Sequence, residues 1–238
     1  MENLLSVRDL QVHYLHGGAH RPVLDGLSLD VCPGEAIGIS GESGCGKTTL
    51  ARAIPRLLPA TAQIHGSICW RGVQLLTLPS EALRAVRGRA ISWIPQEPSL
   101  ALNPVRHVES QLTEVLRAHY VMALSRRKAE ARMLLERFFG REAERLARQF
   151  PHQLSGGERQ RVVICQAIAC RPALLIADEP TSSLDSILQR DFLDLLRELN
   201  RQDGISLIVF SHNLSALRYL GSRRMELRNG RLHECLSS

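Results

Sequence analysis

The sequence is poor in aromatic residues and in lysine. Phe, Trp and Tyr make up 4% of its 238 residues, and Lys47 and Lys128 are the only lysines, so arginine supplies nearly all of the positive charge. The net charge is +6, but acidic and basic residues are interspersed along the chain, which favours a solvated surface over a nucleic-acid-binding face. We therefore expect no nucleic-acid partner.

Long apolar runs and paired cysteines are also absent. No stretch approaches the roughly 20 apolar residues of a membrane-spanning helix, and the first residues do not form the charged-then-apolar segment of a secretory signal. The six cysteines show neither a Cys-x-x-Cys pair nor zinc spacing, which is typical of free thiols in a reducing compartment. The length predicts one α/β core with an inserted or appended subdomain, and work at a membrane would require partner chains.

A glycine-rich loop is the most informative stretch of the sequence. It follows a short apolar run over residues 36–39 and precedes a predicted helix whose apolar positions are Leu50, Ala53, Ile54 and Leu57, with Pro55 ending or kinking that helix. Glycines let backbone N–H groups converge on phosphate oxygens, and the lysine and hydroxyl that follow reach the β- and γ-phosphates and Mg²⁺. The pattern predicts nucleoside triphosphate binding by Gly41, Glu42, Ser43, Gly44, Cys45, Gly46, Lys47, Thr48 and Thr49, with Thr48 on the metal.

Polar residues follow three predicted buried strands. The apolar run over residues 173–177 ends at Asp178 and Glu179, and the carboxyl ends of such strands are where α/β sheets place their ligands. We expect Asp178 to hold Mg²⁺ and Glu179 to polarise the attacking water. The strand over residues 205–210 delivers His212 to the γ-phosphate, and the strand over 90–94 delivers Gln96 to Mg²⁺ or to the water.

Two further regions flank this core. Residues 105–150 are rich in Arg, Glu, Leu and Ala and predict an inserted helical subdomain, which ends at an N-cap, Ser155, with Glu158 as its capping-box partner. Near the start of the chain, the alternating segments 4–14 and 23–31 predict antiparallel strands. Tyr14 ends the first of these strands, where its ring is placed to stack on a base.

In this order, the motifs resemble those of the ATP-binding subunit of an ABC transporter. Residues 41–49 match Walker A, Gln96 the Q-loop, LSGGE at 154–158 the family signature, LLIADE at 174–179 Walker B, SSLD at 182–185 the D-loop, and His212 the switch histidine. The resemblance implies an α/β P-loop NTPase core, with a mostly parallel sheet flanked by helices, an antiparallel β subdomain and an inserted α-helical subdomain. It implies one domain over 1–238, in which 1–98 and 162–238 form the core with the β subdomain and 99–161 form the helical subdomain.

The resemblance also implies a mechanism with two cassettes. Two such domains pair head to tail, so that ATP bound with Mg²⁺ to the Walker A loop of one is covered by the signature of the other. In that arrangement Tyr14 stacks on adenine, Glu179 is the catalytic base, and His212 and Gln96 complete the catalytic set. The further nucleotide contacts come from Ser155, Gly156, Gly157 and Asp185.

The implied partners are membrane proteins and a receptor. They are two transmembrane permease subunits, a second ATPase subunit that is the same chain or a different one, and an extracytoplasmic substrate-binding protein. The chain would lie peripherally on the cytoplasmic face of the membrane.

Three longer segments narrow the similarity. Subunits of dipeptide, oligopeptide and nickel importers are similar to this chain in three segments, QEPSLALNP at 96–104, FPHQLSGGERQRV at 150–162 and CRPALLIADEPTSSLD at 170–185. This similarity implies uptake of a small peptide or a chelated metal. Asn213 departs from the aspartate that commonly follows the switch histidine, and Pro55 interrupts the first helix. A soluble ABC ATPase of cofactor assembly is the alternative. A pure binding regulator is disfavoured, because Lys47 and Glu179 are both present.

Overall fold

The computed structural model describes residues 3–16, 19–97, 101–182, 185–221 and 223–235. Its strands are β1 (Leu5–His16), β2 (Ala19–Val31), β3 (Ala36–Ser40), β4 (Ala62–Trp70), β5 (Val73–Gln74), β6 (Ile91–Ile94), β7 (Leu174–Asp178), β8 (Ser206–Phe210), β9 (Arg223–Arg228) and β10 (Arg231–Glu234). Its helices are α1 (Lys47–Ala53), α2 (Ser80–Val86), α3 (Val108–His119), α4 (Leu124–Phe139), α5 (Ala143–Ala147), α6 (Gly156–Ile168), α7 (Ser186–Asp203) and α8 (Leu214–Leu220).

The strands form two sheets. One has the order β2-β1-β4-β5 with antiparallel pairing throughout. The other has the order β10-β9-β3-β8-β7-β6, and its pairs from β9 to β6 are parallel, whereas β10 pairs antiparallel to β9. This confirms the predicted mostly parallel core with an antiparallel β subdomain.

The parallel sheet is covered on both faces, which explains its apolar strands. Along β7, Leu175 and Ala177 belong to the core cluster shared with the helices, whereas Leu174 and Ile176 belong to the cluster shared with α1 and the antiparallel sheet. A strand that is buried on two sides cannot alternate apolar with polar residues. Its polar functional residues therefore lie at or just beyond its carboxyl end.

Helices α3 to α6 form the helical region that the sequence predicts. Their buried side chains include Leu112 of α3, Leu135 of α4, Leu146 of α5 and Ile164 of α6, which share one core cluster. Helix α6 is continuous from Gly156 to Ile168, so the predicted boundary after residue 161 lies inside a helix. The same core cluster also contains residues of β7, β8 and α7.

Two local details complete the comparison with the sequence. Helix α1 ends at Ala53, before Pro55, as predicted, but the placement of Leu57 on its apolar face is wrong because this side chain lies beyond the helix and is 40% exposed. Asn213 is the N-cap of α8, and its side chain accepts hydrogen bonds from the N–H groups of Ser215 and Ala216. Asparagine caps a helix about as well as aspartate does.

Across the described ranges, no helix combines the length and apolarity needed to cross a bilayer.

Candidate functional site

The loop between β3 and α1 adopts a conformation that requires glycine. Gly44 and Gly46 have φ of +80° and +109°, in the left-handed region that side chains disfavour. A Cβ added at Gly41 would lie 2.6 Å from both the Cys45 Sγ and the Leu227 carbonyl oxygen. Gly46 precedes α1 without a side-chain cap. The first N–H groups of α1 therefore face the cavity without a side-chain acceptor from the cap residue, as an anion site requires.

Lys47 is buried at the start of α1, and its ammonium group contacts the loop that precedes the helix. Its Nζ donates hydrogen bonds to the carbonyl oxygens of Gly41 at 2.7 Å and Glu42 at 2.9 Å. The same Nζ lies 3.1 Å from the Oε1 of Glu179, forming an ion pair in which the lysine is 5% exposed. The lysine thus connects the end of β7 with the glycine-rich loop between β3 and α1, which is called the phosphate loop below.

Glu179 connects two predicted site residues. Its φ is +44°, a strained conformation for a residue other than glycine, and its N–H donates to the Phe210 carbonyl oxygen at 3.0 Å. While Oε1 faces Lys47, Oε2 lies 2.9 Å from Nδ1 of His212. Burial alone would raise the pKa of Glu179, but the hydrogen bonds from His212 and Lys47 outweigh it and lower the pKa below the ordinary glutamate value. The side chain is therefore ionised at neutral pH.

The carboxylate of Asp178, the last residue of β7, is buried without a donor. The residue is 1% exposed, and neither carboxylate oxygen has a hydrogen-bond partner in the described structure. Burial raises the pKa of Asp178, and the nearby Thr48 hydroxyl opposes this shift without reaching hydrogen-bond geometry. An unpaired buried carboxylate is costly unless a cation compensates it. A carboxylate beside a hydroxyl fits a hard divalent cation that prefers oxygen ligands.

Lys47, Glu179 and His212 line one open cavity of about 2100 Å³, and the buried Asp178 directly precedes Glu179 without lining it. Residues of the phosphate loop and of the turn between β9 and β10 are among those that line it. The lining includes Tyr14, Arg21, residues 42–49, Thr61, Gln96, Glu179, Ser182, His212 and residues 226–230. The structure therefore brings together predicted residues that follow four strands of the parallel sheet, β3, β6, β7 and β8, with Tyr14 of β1.

Tyr14 reaches the cavity from the end of β1. Its hydroxyl lies 3.4 Å from the hydroxyl of Thr49, in the first turn of α1. The side chain is half-buried and lines the cavity beside the phosphate loop. The sequence predicts that Tyr14 stacks on a base, but it gives no indication of the contact with Thr49, because the two residues are 35 positions apart.

The signature residues do not line this cavity. Ser155 is the N-cap of α6, and the predicted capping box is present, because its Oγ accepts from the N–H of Glu158 at 3.2 Å and its N–H donates to Oε2 of Glu158 at 2.7 Å. Ser155 and Gly156 are exposed, and Ser155 and Gly157 line a separate, smaller cavity. Asp185 caps α7 through the N–H groups of Ile187 and Leu188. Ser183 and Leu184 of the D-loop lie outside the described residues.

The capping box makes a testable contribution to stability. Burial alone would raise the pKa of Glu158, but hydrogen bonds from Ser155 and Arg145 lower it below the ordinary glutamate value. A lowered pKa in the folded state adds stability above the unfolded pKa, and this stability is lost as the pH falls through the folded pKa. We expect Glu158→Gln to cost about 1 kcal/mol of unfolding free energy at pH 7 and nothing at acid pH. Urea titrations at both pH values measure this difference.

Glu144→Gln is the matched control for this prediction. Glu144 pairs with Arg148 on an exposed surface, where ion pairs contribute little. A loss for Glu158→Gln that is equal at both pH values would contradict the electrostatic part of the cap.

The comparisons with known proteins decide the family. The family model described as "ABC transporter" matches residues 24–182, which is more than half of the chain and spans the phosphate loop, the signature and the acidic pair. The chain belongs to the ABC transporter family. Its cassette is of the ABC ATPase type and is similar to ATP-binding proteins named for dipeptide and oligopeptide transport.

Named relatives match over nearly the whole chain. A peptidoglycan transport ATP-binding protein, YejF, from Agrobacterium fabrum is 43% identical over 97% of this chain, which corresponds to 43% of that protein. The oligopeptide transport ATP-binding protein OppD of Escherichia coli is 38% identical over 97% of this chain and 68% of its own length. The dipeptide transport ATP-binding protein DppD of Bacillus subtilis is 37% identical over 98% of this chain and 70% of its own. The chain spans less than half the length of the YejF relative.

A solved structure gives the same fold. The ATP-binding cassette MJ0796, determined as a dimer in a post-hydrolysis state bound to ADP and Pi, has a TM-score of 0.82 and 26% sequence identity, covering 98% of this chain and 100% of that one. This similarity over the whole cassette confirms the α/β fold with its antiparallel β subdomain and helical region.

Proposed function

We propose that this chain is the ATP-hydrolysing subunit of an importer for small peptides. The observation that carries the proposal is the convergence of Lys47, Asp178, Glu179 and His212 at the carboxyl edge of the parallel sheet, beside the phosphate loop. The relatives named for dipeptide, oligopeptide and peptidoglycan transport support a peptide as cargo. These names favour a peptide over chelated nickel.

The residues of the cavity have complementary roles in hydrolysis. The loop N–H groups and Lys47 bind the phosphates. Thr48, Asp178 and Gln96 would hold Mg²⁺, which would neutralise charge on the phosphate oxygens. Glu179 accepts a proton from water as the water oxygen bonds to the γ-phosphorus and the bond to the β-phosphate oxygen breaks, giving ADP and phosphate. His212 donates a hydrogen bond toward the γ-phosphate.

Nucleotide binding also changes the partner of the lysine. The ammonium of Lys47 neutralises Glu179 at 3.1 Å. When Lys47 binds the β- and γ-phosphates, its ion pair with Glu179 is weakened. The Glu179 carboxylate then keeps its contact with His212. The carboxylate is then a stronger acceptor for the proton of water, because a neighbouring positive charge no longer holds its basicity down.

The separation of the signature from the cavity supports pairing of two cassettes. Ser155 and Gly156 are exposed and do not line the nucleotide cavity of their own chain. We infer that they, with Gly157 and Asp185, complete the site of a second ATPase subunit, of the same or a different sequence. The dimeric cassette MJ0796 supports this arrangement. The other proposed partners are two permease subunits at the cytoplasmic face of the membrane and an extracytoplasmic substrate-binding protein.

Copurification tests the importer proposal. The chain is tagged in its native cell, membranes are solubilised gently, and the captured proteins are identified by mass spectrometry. Two permease chains, and peptide-stimulated ATP hydrolysis after reconstitution with the binding protein, are the expected result. A soluble complex without membrane proteins would overturn the proposal and favour the assembly-type ATPase.

Tyr14→Ala tests the proposed adenine platform. We expect about a 10- to 100-fold loss of ATP affinity, because stacking of a base on an aromatic ring contributes about 1–3 kcal/mol. Binding of inorganic tripolyphosphate, which lacks a base, is expected to change less than two-fold. Titration with both ligands measures the contrast.

Tyr14→Phe is the control, because it keeps the ring and removes only the hydroxyl near Thr49. An equal loss of ATP and tripolyphosphate affinity in Tyr14→Ala would show that Tyr14 supports the phosphate loop and does not stack on the base.

A further inference from the structure

Helix α6 begins within the family signature, and one of its faces packs against the segment that carries Glu179. Gly157 and Gln160 lie three positions apart on α6 and therefore share a face. A Cβ added at Gly157 would lie 2.9 Å from the Leu188 Cδ2, at the start of α7. Gln160 is 6% exposed, and its Nε2 donates a hydrogen bond to the Pro180 carbonyl oxygen at 2.6 Å. Helix α6 thus contacts both ends of the segment between β7 and α7.

That segment holds Glu179 in a strained conformation. The left-handed φ of +44° is accompanied by a turn in which the Ser182 N–H donates to the Glu179 carbonyl oxygen at 3.2 Å. The next carbonyl along the chain is that of Pro180, and its donor is the side chain of Gln160. A strained residue persists only where its surroundings over-determine it. Gln160 supplies one of those constraints from a different element of the fold.

We propose that Gln160 is a positioning residue that couples the signature of this chain to its own catalytic carboxylate. The proposal rests on the pairing of two cassettes described above. When Ser155 to Gly157 engage the nucleotide of the partner cassette, a displacement of α6 passes through the Gln160–Pro180 hydrogen bond to the turn of Glu179. Closure over one nucleotide thereby adjusts the carboxylate at the other. Gln160 acts through Glu179, and it is not among the residues that line the nucleotide cavity of its own chain.

The substitution Gln160→Met removes the donor and keeps the length of the side chain. We expect kcat to fall about 10-fold, because small displacements of a catalytic group have large effects on rate, while the KM for ATP and the affinity for ATP change less than two-fold. Gln160→Asn retains an amide on a shorter side chain and is expected to give an intermediate kcat. The control is Gln166→Met on the same helix, because Gln166 contacts Gln111 in the helical region.

Mixed dimers separate coupling within one chain from an effect across the interface. In the first arrangement, Gln160→Met is paired with Glu179→Gln, so that only the site with the altered positioning residue turns over. In the second arrangement, wild type is paired with a chain that carries both substitutions, so that the active Glu179 belongs to an intact chain. Two affinity tags allow each mixed dimer to be isolated. We expect the 10-fold loss in the first arrangement only, relative to wild type paired with Glu179→Gln.

The outcomes distinguish this coupling from the pairing on which it rests. ATP-dependent dimers of Glu179→Gln, detected by light scattering, establish pairing between two copies of this chain, and their absence would overturn that pairing together with the coupling argued from it. Where dimers form, equal losses in the two arrangements, or a loss confined to the second, would overturn the role of Gln160 and leave the pairing intact. A rise in KM equal to the fall in kcat, or the same loss in Gln166→Met, would also contradict positioning.

Discussion

Glu179→Gln is expected to lower ATP turnover by about 100- to 10,000-fold, the range that a positioned general base contributes. Glutamine has the shape of glutamate and retains a carbonyl oxygen to face Lys47 and His212, but it cannot take a proton from water. ATP affinity is expected to remain within about three-fold of wild type, because Glu179 does not form the phosphate loop. Steady-state phosphate release and equilibrium nucleotide binding measure the two effects separately.

The same variant is expected to accumulate a closed dimer. If hydrolysis reopens the paired cassettes, a chain that binds ATP and cannot hydrolyse it remains paired, and light scattering with ATP detects twice the monomer mass. Glu81→Gln is the control, because Glu81 is an exposed carboxylate in the first turn of α2, outside the nucleotide cavity. Turnover within two-fold of wild type would remove Glu179 from the role of base.

Elements with strong local patterns were predictable from sequence. The glycine-rich loop, the apolar strand before Asp178 and the capping box at Ser155 each depend on residues within a few positions of one another, and the structure places each as expected. The convergence of Gln96, Asp178 and His212 at one sheet edge was also predictable, since parallel strands present their carboxyl ends together. Local pattern and sheet topology together account for most of the site.

The interactions that sequence missed join distant side chains. The ion pair from Lys47 to Glu179 and the hydrogen bond from Gln160 to Pro180 depend on the packing of separate elements, which no periodicity encodes. The prediction that Leu57 lies on the apolar face of α1 was wrong for a different reason. Its spacing continues the helical pattern, but the helix ends before Pro55. A residue can therefore be recognised by its motif before the contact that orients it is known.

The carboxylate of Asp178 provides the second large prediction. We expect Asp178→Asn to lower turnover at least about 100-fold and to abolish the increase in ATP affinity that Mg²⁺ gives over EDTA, because a neutral amide is a poor ligand for a hard cation. The same substitution is expected to stabilise the metal-free chain by about 1–3 kcal/mol, since it removes a buried charge whose two oxygens have no donor. Calorimetric titration of ATP and urea unfolding in EDTA measure these quantities.

The opposite signs of these two effects make the prediction specific to a metal ligand. A substitution that merely disrupted packing at the end of β7 would lower stability and activity together, whereas the loss of a buried carboxylate that has no hydrogen-bond donor lowers activity and raises metal-free stability. Asp191→Asn is the control, because Asp191 is an exposed residue of α7 paired with Arg161. If Asp178→Asn retains the Mg²⁺-dependent gain in ATP affinity, or if it destabilises the metal-free chain, the carboxylate serves the fold and the metal is held by other residues.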